Sequence, residues 1–338
     1  MANVLVTGGS GFLAAHTIVQ LLNIGSEVRT TIRALGREPE LRAMVAAGGA
    51  DPTRRLSVAL ADLTSDAGWN DAMEGIDYVL HIASPFPPNQ PNNENDLIVP
   101  ARDGTLRVLR AARDAGVKRV VMTSSFAAIG YGHNGNGPFD ENDWSDVNAF
   151  IPPYIKSKII AERAAWDFVN DEHDAPELSV INPTGMFGPA LGRKYSSSLG
   201  IVDGLMEGHL PFLPDISFGV ADVRDVAALH LLAMSDPHAA GERFIATGGV
   251  MTLADIANVL RLTLGDSAKR VPRWRIPTWL LKLITRFRPE LKSFADNAGI
   301  RREPRIGKAQ RILGWQTRTT NETIADTARS LIAIRNMN

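Results

Sequence analysis

The opening run Asn3-Val4-Leu5-Val6-Thr7-Gly8-Gly9-Ser10-Gly11-Phe12-Leu13-Ala14 constrains the fold more than any other stretch of the chain. Residues 3–7 are short, apolar and β-branched, as a buried strand requires. Glycines then crowd a turn, and from 12 to 23 the apolar residues recur with helical spacing. Gly8 permits a tight turn, Gly11 lets backbone approach a pyrophosphate, and the small Ala14 lets helix and strand pack closely. The helix start adds free N–H groups and the positive end of its dipole. A strand, turn and helix of this kind begin a doubly wound parallel sheet, and the ligand they suit is a dinucleotide.

The same alternation continues. Strands are expected at 27–32, 56–59, 78–82, 120–124 and 178–182, with helices at 38–47, 66–73, 96–115 and 154–169 between them. Alternating strands and helices imply right-handed crossovers and an α/β fold with one parallel sheet. After Pro183 the loops lengthen and prolines and glycines gather. Residues 218–220 and 222–234 read as a return to the sheet, and 243–246 as a seventh strand. The remainder, from 252–264 and 277–287 onward, reads as a small, mostly helical lobe. The division expected is a dinucleotide-binding domain over 1–182, completed by segments near 218–246. The lobe at 183–217 and 247–338 then takes the substrate.

Composition narrows the function by exclusion. A formal net charge of -1 gives no field to recruit nucleic acid or an anionic membrane. The absence of cysteine removes disulfides, thiol nucleophiles and thiolate metal sites, and fits a reducing cytoplasm. The N-terminus carries neither a basic leader nor a long apolar run, so no membrane span is expected. The histidines His16, His81, His133, His209, His230 and His238 show no metal spacing and read as ordinary core or surface residues; no metal is expected.

Three further features carry chemistry. At the end of the second strand, where a ribose-binding carboxylate is expected, stand Thr30-Thr31-Ile32-Arg33, with Arg37 nearby. A guanidinium there holds a 2′-phosphate, which points to NADP(H) rather than NAD. Asp62-Leu63, after the third strand, is placed to meet an adenine; an aspartate there equally caps the following helix. The strand ending in Thr123-Ser124-Ser125 puts hydroxyls at the carboxyl edge of the sheet, where Ser125 is placed to polarise a carbonyl oxygen. Tyr154 and Lys158 lie four apart on a helix and share one face, an arrangement in which the ammonium lowers the phenol's pKa toward the range of a general acid.

Taken together, Thr7-Gly8-x-x-Gly11-x-x-Ala14, Thr123-Ser124-Ser125, Tyr154-x-x-x-Lys158 and the run from Asn182 to Pro189 resemble the extended short-chain dehydrogenase/reductases. The runs Thr31-Ile32-Arg33, His81-Ile82-Ala83-Ser84-Pro85, Phe139-Asp140-Glu141-x-x-Trp144 and Val223-Arg224-Asp225-Val226-Ala227-x-x-His230 resemble the dihydroflavonol reductase, cinnamoyl-CoA reductase and bacterial aldehyde-ketone reductase branch. The resemblance implies reduction of an aldehyde or ketone by NADPH in a monomer or homodimer. Ser125 then holds the carbonyl, Tyr154 gives the proton, and Lys158 also binds the nicotinamide ribose. It further implies that Thr7, Phe12, Leu13, Ile82, Ala83, Ser84 and Thr123 line the cofactor. Pro183, Thr184, Gly185 and Met186 then pass beneath the nicotinamide, with Ser198 a further contact. Phe126 stands where a small residue is usual and is expected to narrow the pocket. Phe86, Phe126, Met186 and Phe212 suggest an apolar, aromatic-tolerant substrate site. Two other readings stay open: a sugar-nucleotide epimerase or dehydratase, which shares the same triad, and a non-catalytic NADP-binding regulator.

Residues 268–311 hold 13 Lys and Arg against 3 Asp and Glu. They either steer an anionic substrate or form a solvated face. The amphipathic stretch 279–284 reads as a lid or core helix of the lobe.

Overall fold

The structure is a computed structural model and describes residues 2–85, 91, 93–133, 137–193, 196–288 and 292–336, apart from the side chains of Ser293 and Phe294. Ten strands run through these residues: β1 Asn3–Val6, β2 Glu27–Ile32, β3 Leu56–Leu60, β4 Tyr78–His81, β5 Arg119–Thr123, β6 Glu177–Pro183, β7 Gly185–Phe187, β8 Ser217–Asp222, β9 Arg243–Ala246 and β10 Gly249–Thr252. Seven form one sheet in the order β3-β2-β1-β4-β5-β6-β9, and each neighbouring pair is parallel. The chain winds outward from β1 through β2 to β3, then returns to β4 and winds the other way. The order reverses between β1 and β4, and that switch point opens a crevice at the carboxyl ends of the strands.

Side-chain alternation explains why these strands read as unbroken apolar runs. Val4, Val6, Leu80, Val121 and Ile181 face one side, where they pack with Leu13, Ile18 and Leu21 of the helix Phe12–Asn23. Leu5, Val79, Val120, Met122 and Val180 face the other, against Val108 and Leu109 of Asn95–Asp114 and Ala161 and Ala165 of Pro153–Asp171. Successive residues of a strand point to opposite faces, and helices cover both, so neither face is free to be polar.

The lobe is less helical than its sequence suggests. β8 does not return to the large sheet: it pairs with β7 in parallel and with β10 antiparallel, making a second, three-stranded sheet. The apolar run of β8 cannot reveal its partners, because register is set by tertiary contacts. Helices Ser197–Glu207, Leu253–Leu264 and Thr320–Asn336 close this sheet through Val202, Leu205, Ile256, Leu260, Ile324 and Ala328.

Two helices are shorter than expected. The one read from 66 begins at Trp69, because Gly68 holds φ 85 and a Cβ there would come within 2.0 Å of the Leu60 carbonyl oxygen. The stretch 277–287 is helical only over Thr278–Ile284. It buries Leu281 in a small cluster with Ile276 and Ala295, while Trp279 is 68% exposed and Phe287, beyond its end, 80% exposed. No helix among the described residues is long and apolar enough to cross a membrane.

Candidate active site

The floor of the crevice is built around one hydroxyl. Thr7 Oγ1 accepts from the backbone N–H groups of Ile82, at 3.0 Å, and Ala83, at 2.9 Å. With both lone pairs occupied, its proton goes to His81 Nδ1, 3.0 Å away. The imidazole is therefore neutral there, in keeping with a pKa that burial lowers to about 3. This joins the end of β1 to the end of β4. Gly8 completes the join. It holds φ +74, and a Cβ at that position would stand 3.0 Å from Ala83 Cβ. Its N–H is donated to Thr31 Oγ1 at 3.0 Å. Gly9 is equally constrained: a Cβ there would lie 2.3 Å from Thr30 Oγ1.

Above this floor stand the three residues read as catalytic. Ser125 follows β5 and caps the short 3-10 turn Phe126–Ala128, its Oγ accepting from Ala127 N–H at 3.1 Å. Pro153 begins the helix that carries Tyr154, and buried Ile155 and Ile159 pin that first turn on Ala127 and Ala128. Tyr154 and Ser125 share a side-chain hydrogen bond. One turn on, Lys158 is 7% exposed, donates to Ser84 Oγ at 3.0 Å and lies 5.9 Å from the centre of the Tyr154 ring. The spacing alone predicts a phenol pulled down by the ammonium. In the folded chain burial is the larger effect and raises the Tyr154 pKa, with the Ser125 hydrogen bond opposing it. Burial also lowers Lys158 to about 8, against the pull of Glu162.

Glu162 belongs to a buried network that the sequence reading missed. Its carboxylate is fully buried and accepts from Ser124 Oγ at 2.5 Å, Asn182 Nδ2 at 2.8 Å and Arg243 Nε at 2.6 Å. Asn182 Nδ2 also donates to the Ser125 carbonyl at 3.2 Å. Arg243 in turn reaches the Glu141 and Asp143 carbonyls and lies 4.0 Å over the Trp144 ring. The network ties β5, β6, β9 and the Tyr154 helix together behind Ser125. The one signal in the sequence was the spacing Lys158–Glu162, four residues apart on one helix face.

Other residues read as site residues divide by what they touch. Thr123 is buried and its hydroxyl meets His230 Nε2 at 2.7 Å, while His230 Nδ1 faces the Val226 carbonyl at 2.8 Å. Since a carbonyl only accepts, Nδ1 carries the proton and Thr123 donates to Nε2. Phe126 does not narrow the pocket as expected: it is 6% exposed and packs inward with Ile129, Phe139 and Ile245. Asp62 holds its own loop, accepting from Thr64 N–H and Oγ1 at 2.8 and 2.6 Å. Leu63 packs on Gly104. Arg37 is bound to Glu40 at 3.0 Å, whereas Arg33 is exposed, with no ion pair among the described residues, and exerts its field on Asp62. Pro183 ends β6, Thr184 Oγ1 donates to Thr247 Oγ1 at 3.1 Å, and Gly185 and Met186 open β7. Ser198 is half-buried in the first turn of Ser197–Glu207. Phe86 lies outside the described residues.

These surroundings fit a dinucleotide. The helix Phe12–Asn23 starts at Gly11 with no side-chain cap and no acid in its first turn, so its N–H groups stay available to an anion. Leu13 is buried, and Phe12 bridges the cores of sheet and lobe.

Comparison with known proteins agrees. The model of the NAD dependent epimerase/dehydratase family matches residues 4–246. The chain belongs to that family. Its members similar to this chain include tetraketide alpha-pyrone reductase 2 of Arabidopsis thaliana, 35% identical over 77% of this chain and 82% of that one. Ketoreductase azaE of Aspergillus niger is 32% identical over 97% of both. Among solved structures, yeast methylglyoxal/isovaleraldehyde reductase Gre2, complexed with NADPH, superposes with a TM-score of 0.82 at 26% identity, over 99% of this chain and 100% of that one. The family resemblance drawn from the motifs is thus borne out.

Proposed function

We propose that the protein reduces an aldehyde or ketone to the alcohol with NADPH, and that Tyr154 is the general acid. The observation that carries this reading is the hydrogen-bonded pair Ser125–Tyr154 at the carboxyl end of β5, with Lys158 held on Ser84 one turn along the same helix. Bound NADPH supplies a hydride to the carbonyl carbon. Tyr154 gives its proton to the carbonyl oxygen as negative charge develops there. A phenol raised by burial stays protonated at neutral pH, which suits an acid that must donate. Ser125 Oγ accepts from Ala127 N–H and shares a hydrogen bond with Tyr154, which holds the two hydroxyls together toward the same oxygen. Lys158 holds the ribose and places positive charge beside the tyrosinate that remains.

The turn at Gly8 and Gly11 takes the pyrophosphate. Ile82, Ala83 and Ser84 line one side of the crevice, and Pro183 to Met186 the other. Arg33, with no ion pair among the described residues, takes the 2′-phosphate; Arg37, held by Glu40, is the weaker candidate. The lobe supplies the walls for an apolar substrate, and a cytoplasmic setting fits a chain without cysteine. The reductase names of the relatives support the reading.

The test is Tyr154→Phe. The variant should fold and bind NADPH while carbonyl reduction falls by about 10²–10⁴-fold. The substrates to compare are short aliphatic aldehydes, aromatic aldehydes and diketones. Undiminished turnover in the variant would remove Tyr154 from the chemistry.

A further inference from the structure

Three arginines stand within five residues on the segment that crosses from the lobe to the catalytic side of the crevice: Arg301, Arg302 and Arg305. The two outer ones are paired. Arg301 Nη2 is 2.6 Å from Asp215 and Arg305 Nη1 is 3.2 Å from Asp140. The middle one is not. Among the described residues Arg302 meets no carboxylate. Its contacts are a long approach to Asn297 Oδ1, at 3.5 Å, and the face of the Tyr131 ring, 4.3 Å from its centre.

The position of Arg302 is fixed by its neighbours. Phe139 N–H donates to the Glu303 carbonyl at 2.8 Å, and Arg305 N–H donates to the Phe139 carbonyl at 2.7 Å. Glu303 and Arg305, just after Arg302, are thereby clipped to the loop that follows Ser125. Tyr131, beneath the guanidinium, packs in the same cluster as Tyr154, Ala127 and Ala128, and its N–H is held by Ser145 Oγ at 2.8 Å. It is close enough to Tyr154 to act on that phenol electrostatically. Arg302 is half-buried. A guanidinium partly removed from water with no counter-ion has lost solvation that an anion would restore, and a planar carboxylate or phosphate meets it bidentately.

We propose that Arg302, seated on Tyr131 beside the catalytic pair, recognises an anionic group on the substrate, so that the favoured carbonyl compounds carry a carboxylate or phosphate away from the reacting carbon. This rests on the carbonyl-reductase reading and sharpens it. The apolar walls take the body of the substrate, and one end is charged. The product is then a hydroxy acid or its phosphate analogue.

The experiment compares 2-oxo, 4-oxo and 5-oxo acids with their methyl esters, each assayed by NADPH oxidation. Turnover of the esters reads the reductase assignment by itself; the ratio of acid to ester reads Arg302. In the native protein at least one acid should exceed its ester in kcat/KM, and added salt should shrink that advantage. Arg302→Met should lower the acid-to-ester ratio by about 10- to 100-fold, mainly through KM for the acid. Arg302→Lys keeps both a positive charge and a cation over the ring and should recover part of the ratio. A merely structural clamp on Tyr131 would change both substrates together. Esters turned over with no acid favoured, or an acid preference that survives Arg302→Met, would overturn the proposal. Should Arg302→Met fail to fold, the native ratio and its salt dependence decide the matter.

Discussion

At the scale of single residues, the trio proposed as catalytic is held by buried groups behind it. Glu162 is the clearest. One carboxylate holds Ser124, Asn182 and Arg243, and Asn182 in turn holds the carbonyl of Ser125. Removing its charge leaves Arg243, 7% exposed, without its ionic partner in a low-dielectric interior. Breaking a buried pair from one side costs about 3–5 kcal/mol, more than the pair itself contributes, because the remaining ion stays desolvated. Glu162→Gln should therefore lower stability to urea by about that amount. A loss under about 1 kcal/mol would mean that the Glu141 and Asp143 carbonyls suffice for Arg243. Tyr154, Lys158 and Ser125 stood out in the sequence because the proposed chemistry demands those residue types at those places. The sequence did not show Glu162, Asn182 or Arg243, because a buried network draws its members from strands far apart in the chain. Nor did it show the direction of the Tyr154 shift, which is set by burial.

Among elements, the proposed function divides the recognition of one cofactor between the β1 turn and the end of β2. On the proposed reading, the turn shapes a cradle common to both nicotinamide dinucleotides, whereas Arg33 addresses only the phosphate that distinguishes them. Gly8→Ala adds a Cβ at φ +74, pressed on Ala83, which costs about 1–2 kcal/mol in backbone strain alone. It should weaken NADPH and NADH binding alike. Arg33→Ala should raise the Kd of NADPH by about 10- to 100-fold and leave NADH nearly unchanged, since charged hydrogen bonds of this kind contribute about 1.5–3 kcal/mol. Titration of each variant with both cofactors checks the pair of outcomes; equal losses for Arg33→Ala would deny it the phosphate. Elements with a strong local pattern were legible: the helices Phe12–Asn23 and Glu38–Ala47 and the strands β2 and β9 lie where the apolar spacing put them. β8 was misread because its partners are set by tertiary contact.

The whole molecule carries a further consequence of how its histidines are buried. His81 ends β4, His16 lies on the helix Phe12–Asn23 and His230 on the helix Val223–Ser235; burial lowers His16 to about 4, His81 to about 3 and His230 to about 4. Each has its hydrogen-bonding fixed for the neutral ring. His81 accepts from Thr7, His230 accepts from Thr123 and donates to Val226, and His16 donates to the Pro189 carbonyl at 2.9 Å. Unfolded, all three return to an ordinary value near 6.5. Between pH 6.5 and about 4 the unfolded chain thus binds more protons than the folded one, so stability falls as the pH falls through that window. Each histidine contributes about 1.4 kcal/mol per pH unit well inside it, and the three together approach about 4 kcal/mol per unit. Above pH 5 most carboxylates stay ionised, so urea midpoints measured from pH 7 to 5 isolate the histidines. The expected result is a loss that steepens as the pH falls from 7 to 5, with the slope cut by about a third in His81→Asn, whose amide oxygen keeps an acceptor for Thr7. Stability that stays level down to pH 5 would show that the rings take up protons without unfolding the core, contrary to the neutral hydrogen-bonding that joins β1 to β4 at the cofactor crevice.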